Sequence, residues 1–298
     1  HLNDCYTDDF NTSGVSHHGR FRLECETDPK LTAKDLFYTK DEFRRFVKES
    51  AALGVEIIPE IDSPGHATAF VEAHPEFAKD FARSNYAVDV ENPRVLPYIK
   101  SILKEYCAGP DPVFAGPLVH IGCDEFGKSD AYPGYVDELL RYVRSLGKTP
   151  YVWNDPDQYD TNGVPRVLCD KNVYVGYADT DKVRDRARQA GFTVVSLRDL
   201  LTYIVPANPP GYYEDYLDPK RVYENFRIDE GAVGGFYSLW NDRGGNGITE
   251  DDSFDRLFPA MQLMAQMYWG GRRGDMSAAD LRRLMAGLGG QPGAPSDG

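Results

Sequence analysis

The stretch Leu118-Val119-His120-Ile121-Gly122-Cys123-Asp124-Glu125 places two adjacent carboxylates directly after an apolar run. A buried parallel strand has this pattern when it carries acid chemistry at its carboxyl end. Neighbouring carboxylates repel each other, so we expect a raised pKa at one of them, which suits a general acid near neutral pH. Most Asp-Glu doublets are solvated surface, but the apolar lead-in favours a functional pair here.

The composition favours a neutral ligand. The chain has 298 residues, a formal net charge of -14 and 12% aromatic residues, including 19 Tyr. The length suits one large domain, and an α/β barrel takes roughly 250 residues. The negative charge disfavours nucleic acid and anionic membranes as partners. The sequence contains no apolar run of about 18 residues, the length that would predict a membrane span.

Segments typical of strands alternate with helical patterns along the chain, which predicts βα units and a parallel sheet. A capping box at Thr39-Lys40-Asp41-Glu42 starts the first clear helix. We place strand ends near residues 4, 61, 122, 153, 177, 196 and 240. The alternative, a doubly wound open sheet, lacks a Gly-rich phosphate motif after any strand.

We therefore predict an α/β fold of the (β/α)8 TIM-barrel type, in which the carboxyl ends of all strands meet on one face. Only seven strands are recognised, so the first strand is apparently lacking. Residues 1–270 are expected to form the catalytic barrel, and residues 271–298 a short C-terminal helix and a flexible Gly/Pro tail.

Four motifs support a specific resemblance. The segment His120-Ile121-Gly122-Cys123-Asp124-Glu125 resembles the His-x-Gly-Gly-Asp-Glu motif of glycoside hydrolase family 20, the β-N-acetylhexosaminidases and their relatives. The segment His1-Leu2-Asn3-Asp4 resembles the family's second-strand His-x-x-Asp. Glu60-Ile61-Asp62-Ser63-Pro64-Gly65-His66 resembles its Glu-Ile-Asp-x-Pro-Gly-His turn. Leu239-Trp240-Asn241-Asp242 resembles its eighth-strand Trp-x-Glu/Asp. The matches follow the family's order.

The resemblance implies retaining hydrolysis of terminal β-linked N-acetylhexosamine, or of a lacto-N-biose-type unit, without a cofactor or metal. The 2-acetamido oxygen of the substrate attacks the anomeric carbon and forms an oxazolinium ion, an exception to the scheme with two protein carboxylates. Glu125 would be the general acid and then the base. Asp124 would remain ionised, orient the acetamide N–H and stabilise the developing charge.

Other site residues are also implied by the resemblance. Asp4 would orient His66, which in turn tunes the proton affinity of Glu125. Aromatic rings would form the walls of the sugar site. The acetamide oxygen would be held by Tyr203, with Tyr216 as the alternative. The residues expected to bind the sugar are Trp153, Trp240, Asp242 and Tyr177.

The sequence departs from the family pattern in several places. Cys123 replaces the second Gly of the motif, Tyr177 stands where the family usually has Trp, and Asp242 where most relatives have Glu. No residue matches the family's first-strand Arg. We expect free buried thiols, although Cys5 and Cys25 would be the first pair to examine for a disulfide.

Two other functions remain open at this stage. Asp4, His66, His120, Asp124 and Glu125 carry the side chains of a metal-dependent hydrolase, but no His-x-His ends any strand. A non-catalytic relative that binds N-acetylhexosamine is the second alternative. The expected partner is a glycan substrate. The expected location is extracellular or at the cell surface.

Overall fold

The computed structural model describes residues 1–3, 19–79, 87–126, 129–154, 174–177, 185, 187–189, 191–211, 213–242 and 247–288. These residues form two compact units. The first contains the described residues of 1–176 together with 185–193, and the second contains residue 177 and the described residues of 194–288. The predicted Gly/Pro tail from residue 289 onwards and the strand end predicted near residue 4 lie outside the described residues.

Helices and short strands both occur along the described chain, in agreement with the predicted α/β class. A 3-10 turn covers Pro75–Phe77, and a π-helical turn at Gln266–Gly270 follows the seventh helix. The helices are α1 (Lys40–Ala52), α2 (Thr68–Ala73), α3 (Val95–Cys107), α4 (Tyr132–Ser145), α5 (Asp199–Thr202), α6 (Pro219–Asn225), α7 (Glu250–Ala265) and α8 (Ala278–Leu288). The strands are β1 (Leu118–His120), β2 (Thr149–Asn154), β3 (Tyr174–Tyr177), β4 (Thr193–Val195), β5 (Tyr203–Ile204) and β6 (Ser238–Leu239).

The first helix begins at the predicted capping box. The backbone N–H of Glu42 donates to Oγ1 of Thr39 at 3.2 Å, and the N–H of Thr39 donates to Oε2 of Glu42 at 2.8 Å. Two donors that the helix leaves unsatisfied are paired in this way. Helix α1 ends before Gly54, whose φ of 80° is the left-handed conformation that glycine adopts readily.

Parallel pairing organises the first unit. Strands β1 and β2 pair with Leu118 opposite Thr149, and β3 lies beside β2. Before β1, Glu60 forms a single parallel bridge to His120. The prediction of a buried strand over residues 55–61 is wrong for its first half, because Val55 and Ile58 are exposed and only residues 59–61 are buried.

Aromatic side chains fill much of the core of the first unit. The Tyr106 and Phe114 rings stack at 5.0 Å, and Phe43 of α1 packs on Phe114 at 5.9 Å. Phe21 contacts Phe70 of α2 edge-on at 5.4 Å. All five rings are buried, so α1, α2 and α3 each contribute an aromatic side chain to a core stabilised by apolar area removed from water.

The second unit has its own core beneath a short parallel pair. Tyr203 of β5 lies opposite Ser238 of β6, and Ile204 opposite Leu239. The buried cluster joins α6, α7 and α8 around Phe226, Leu263 and Leu281. Helix α8 is therefore part of this core.

Trp269 does not lie in the core, where the helical pattern of α7 would place it. It is 91% exposed, whereas Met267 is buried. The π-helical turn at Gln266–Gly270 adds residues to the last turn and so changes the face that each side chain occupies.

The cysteines confirm the expectation of buried thiols. Cys25, Cys107 and Cys123 are free and buried. Cys5, the suggested disulfide partner of Cys25, lies outside the described residues. None of the described helices combines the length and apolar character that a membrane span requires.

The position of Leu281 in α8 predicts a stability difference within one helix. Leu281→Ala should lower the free energy of unfolding by about 2–5 kcal/mol, because it leaves a cavity in the core. Leu284→Ala, three residues further along the same helix and exposed, should change it by less than about 0.5 kcal/mol. Urea unfolding measures both, and equal effects would show that α8 does not contribute to the core.

Candidate active site

The acid pair follows a strand end with an unusual backbone. Strand β1 ends at His120, two residues earlier than predicted, because Gly122 and Cys123 adopt φ values of 69° and 78°. Glu125 also has a positive φ, of 51°. Such values strain residues that carry a side chain, and they are typical of functional sites. The alternation of side chains that is typical of a strand therefore does not extend past His120.

Asp124, Glu125 and His66 lie together. The Nε2 atom of His66 is 3.5 Å from Oδ2 of Asp124 and 3.4 Å from Oε2 of Glu125. The Asp124 side chain is 26% exposed and the Glu125 side chain 68%. Oδ1 of Asp124 is buried and, among the described residues, has no hydrogen-bond partner. An acceptor of this kind suits a donor group on a bound substrate.

The turn from Asp62 to His66 packs directly on the end of β1. Oδ1 of Asp62 accepts the N–H of Cys123 at 3.0 Å. A Cβ at Gly65 would lie 2.5 Å from the carbonyl oxygen of Asp124, so only glycine permits this approach. The Glu-Ile-Asp-x-Pro-Gly-His resemblance thus corresponds to a real turn that brings His66 to the acid pair.

Asn3 holds this turn from the other side. Its Nδ2 donates to the carbonyl oxygens of Asp62 and His66, both at 2.9 Å, and its Oδ1 accepts the N–H of Asp62 at 2.8 Å. Sequence reasoning missed Asn3, because nothing in its neighbourhood distinguishes it from a strand residue. Asp4, the residue that the resemblance assigned to orient His66, lies outside the described residues.

The carboxyl group of Asp62 has a pKa that is displaced upwards. Burial and the nearby Asp124 carboxylate raise the pKa of Asp62 well above its usual range. The sequence analysis expected such a displacement within the Asp124–Glu125 doublet, and did not assign it to Asp62. A carboxylic acid at this position limits the negative charge beside Asp124.

Glu60 is the centre of a buried polar cluster. Oε1 accepts the indole N–H of Trp153 at 2.6 Å and lies 3.2 Å from Nδ1 of His120, and Oε2 is 3.2 Å from Nδ1 of His1. Burial opposes the ionised form, but the imidazoles of His120 and His1 hold the pKa of Glu60 well below its usual range. The cluster fixes the Trp153 ring, which also packs on His120 at 4.7 Å.

Cys123 is a packing residue. It is fully buried, and its Sγ donates to the carbonyl oxygen of Ile121 at 3.5 Å. Burial, with Asp62 and Asp124 nearby, raises the pKa of the Cys123 thiol well above its usual range. The thiol is therefore protonated and a poor nucleophile, in agreement with its interpretation as a residue that fills space behind the strand.

Three predicted site residues lie in the second unit. The rings of Tyr203 and Trp240 meet edge-on, 5.6 Å apart, and the N–H of Trp240 donates to the carbonyl oxygen of Ile204 at 2.9 Å. Asp242 is half-buried just after Trp240. Tyr216, the alternative to Tyr203, is 48% exposed beneath the Arg256 guanidinium. Tyr177 is the last residue of β3.

Two groups of side chains offer three ligand atoms each to a cation. His1, Glu60 and Asp62 form one, and Asp62, His66 and Asp124 the other, each with ligand atoms within 4.8 Å of one another. Asp62 is shared by both groups, and one of its oxygens already accepts the Cys123 N–H. Metal removal therefore belongs among the controls for any activity assay.

Parallel strands lie between helices, and two carboxylates and an imidazole meet near a strand end, an arrangement of the kind that acid–base catalysis uses. Residues 14–133 match the family model described as Glycosyl hydrolase family 20, catalytic domain. This match agrees with the assignment to glycoside hydrolase family 20 that the four motifs predict.

Relatives agree with this assignment. The chain is 25% identical over 284 residues to lacto-N-biosidase of Bifidobacterium bifidum, covering 83% of this chain and 25% of that protein. It is 27% identical over 298 residues to beta-hexosaminidase subunit A1 of Dictyostelium discoideum, covering 89% of this chain and 54% of that protein. The chain thus spans a quarter to about half the length of these relatives.

Solved structures share the fold. The β-N-acetylhexosaminidase from Bacteroides fragilis NCTC 9343 matches with a TM-score of 0.73 at 20% identity, covering 90% of this chain and 61% of that chain. The GH20 exo β-N-acetylglucosaminidase from Vibrio harveyi matches with a TM-score of 0.68 at 23% identity, covering 92% and 51%. These likenesses confirm the parallel α/β class and imply a TIM-barrel catalytic domain.

The close approach at Gly122 predicts a strong effect of a single methyl group. In Gly122→Ala the new Cβ would lie 1.6 Å from Oδ1 of Asp62, at a φ of 69° that alanine disfavours. We expect the free energy of unfolding to fall by more than about 2 kcal/mol, because both strain and overlap must be relieved. Gly134→Ala in α4 meets nothing within 4 Å and should be neutral or stabilising by up to about 1 kcal/mol. Equal urea midpoints for the two variants would contradict this view of the strand end.

The raised pKa of Asp62 predicts a pH-dependent stability difference. The folded protein holds this proton to a higher pH than the unfolded chain, so the contribution of Asp62 is fully present below its unfolded pKa of about 3.9 and is lost as pH rises through the folded value. Asp62→Asn, which keeps an acceptor for Cys123 and does not titrate, should lack this loss. The unfolding free energy of Asp62→Asn minus that of wild type should therefore increase as the pH rises above about 4. A difference between Asp62→Asn and wild type that stays constant across this pH range would contradict the assignment.

Proposed function

We propose that this chain carries the catalytic centre of a retaining glycosidase that removes terminal β-linked N-acetylhexosamine by substrate-assisted catalysis. The observation that supports it most directly is the convergence of His66 on both carboxylates, at 3.5 Å from Asp124 and 3.4 Å from Glu125. The match to family 20 supplies the reaction class. Sugars are neutral ligands, which agrees with the net charge of -14.

Glu125 is proposed as the proton donor. Its side chain extends towards solvent, from where it can reach the leaving oxygen, and His66 beside it adjusts its proton affinity. After the leaving group departs, the same carboxylate activates the water that opens the oxazolinium ion. Asp124 is proposed to accept the acetamide N–H at its buried Oδ1 and to stabilise positive charge on the ring.

Aromatic residues are proposed to hold the sugar. Trp153 has its indole fixed by Glu60, so its ring is preorganised as a wall. Tyr203 is favoured over Tyr216 as the hydrogen-bond donor to the acetamide oxygen, because it contacts Trp240 whereas Tyr216 packs under Arg256. Asp242 is proposed to accept hydrogen bonds from sugar hydroxyls, and Tyr177 to add a further ring.

The substrate is a glycan, and two kinds of terminal unit are candidates. The name of the Dictyostelium discoideum relative favours a single N-acetylhexosamine, and that of the Bifidobacterium bifidum relative favours a lacto-N-biose unit. We further propose that the strands are those of a (β/α)8 barrel and that the protein acts outside the cell or at its surface, where such glycans are displayed.

The two carboxylates predict specific losses of turnover. Glu125→Gln removes the transferable proton, and Asp124→Asn removes the charge that faces the oxazolinium ion. Each should lower kcat/KM on an aryl N-acetyl-β-glucosaminide by about 10²–10⁴-fold. Asp137 and Glu138 of α4 form a matched acidic doublet outside the site, and Asp137→Asn and Glu138→Gln should remain within about twofold of wild type.

Controls separate the alternative functions. Dialysis against EDTA should leave turnover unchanged, and its loss, restored by a divalent cation, would favour the metal-dependent hydrolase. Wild-type protein that binds N-acetylglucosamine without turning over any aryl β-glycoside, lacto-N-bioside included, would favour the non-catalytic relative. Near-wild-type hydrolysis by Glu125→Gln would contradict the proposed acid.

A further inference from the structure

We propose that Asn3 is a positioning residue of this site: its side chain holds both ends of the Asp62–His66 turn and thereby fixes the His66 imidazole against Asp124 and Glu125. The loss of turnover that we expect when Asn3 is replaced rests on the proposed function. The dependence of the His66 position on Asn3 does not require the proposed function.

The Asn3 side chain uses its hydrogen-bonding groups on this one turn. Both Nδ2 hydrogens are donated to main-chain carbonyls, one at Asp62 and one at His66, and Oδ1 accepts the N–H of Asp62. The three distances are 2.8–2.9 Å, and Asn3 is fully buried. A hydroxyl residue has one hydrogen to donate, so Ser or Thr cannot make the same pair of donations.

The turn is fixed on its opposite side by the strand that carries the acids. Asp62 accepts the Cys123 N–H, and Gly65 lies against the carbonyl of Asp124. With Asn3 in place, the turn is held between two supports, and its far end is His66. Without Asn3, the carbonyl of His66 loses a partner, while the attachment at Asp62 remains.

The backbone of His66 shows why this support matters. His66 has a φ of 48°, a conformation that costs free energy for a residue with a side chain and persists only when its surroundings impose it. The Asn3 donation to the His66 carbonyl is one such constraint. A relaxed φ would swing the imidazole away from positions 3.4–3.5 Å from the two carboxylates. A displacement of about 1 Å at a catalytic group can lower the rate by about 100-fold.

A role through His66 is distinguishable from a general role in folding. If Asn3 acts by placing His66, its removal costs nothing further once the imidazole is gone, because the two residues form one unit. If Asn3 serves only stability, the losses from Asn3→Ala and His66→Ala are independent and multiply. A double-mutant cycle in kcat therefore tests the proposal.

The experiment compares wild type, Asn3→Ala, His66→Ala and the double variant on an aryl N-acetyl-β-glucosaminide. We expect Asn3→Ala to lower kcat by about 10–100-fold with KM changed by less than about threefold. The double variant should match His66→Ala within about twofold. Multiplicative losses, or a change in KM alone, would overturn the proposal. Asn92→Ala, which removes a side-chain donation to the Glu76 carbonyl in the same unit, should leave kcat unchanged.

A second readout does not depend on turnover. The imidazole signals of His66, identified in the NMR spectrum by their loss in His66→Ala, should shift in Asn3→Ala and remain unshifted in Asn92→Ala. If wild type lacks glycosidase activity, the proposed function fails, and these signals still decide the role of Asn3. If Asn3→Ala does not fold, Asn3→Asp keeps the acceptor for Asp62 and loses both donors, and the same shift is expected; unshifted signals, or failure of both variants to fold, would overturn the proposal.

Discussion

The hydrogen bond from the Cys123 N–H to Oδ1 of Asp62 joins the two segments on which the site depends. It ties the turn that carries His66 to the strand end that carries the acids, 61 residues further along the chain. The bond requires a close approach, and Gly122 and Gly65 supply it by having no Cβ at the two tightest points. Asp62 is buried as a result, and its raised pKa is a consequence of this packing. The positions of Asp124 and Glu125 and the raised pKa of Asp62 thus both follow from this packing.

Glu60, the other buried carboxylate in this segment, has electrostatic surroundings opposite to those of Asp62. Glu60 faces two imidazoles and an indole N–H, whereas Asp62, two residues later, faces Asp124. Their pKa values are therefore displaced in opposite directions although both are buried. Glu60 orients Trp153, and the raised pKa of Asp62 favours its neutral form, which reduces the negative charge beside Asp124. One short segment thus supports both the aromatic wall and the acid pair.

The sequence predicted the parts of this arrangement that are local. The capping box at Thr39, the helices and the acidic doublet after an apolar run each have a signal within a few residues, and all are present. The Pro-Gly-His segment was recognised by resemblance. Asn3 was missed because its role lies in contacts 59 and 63 residues away, and a lone Asn carries no periodic signal. The early end of β1 was missed for a related reason: apolar periodicity does not reveal that Gly122 and Cys123 leave the extended conformation.

That change of conformation explains how adjacent carboxylates can take different roles. In a continuing strand, Asp124 and Glu125 would point to opposite faces, and only one would reach a site at the strand end. Positive φ at Cys123 and Glu125 turns the chain, so that both carboxylates lie within 3.5 Å of the same imidazole nitrogen. They nevertheless differ in exposure, 26% for Asp124 and 68% for Glu125. The more enclosed group is suited to hold a fixed charge against the substrate, and the more exposed one to exchange protons with a leaving group and then with water. Backbone strain at this strand end is therefore what allows one dipeptide to supply both functions.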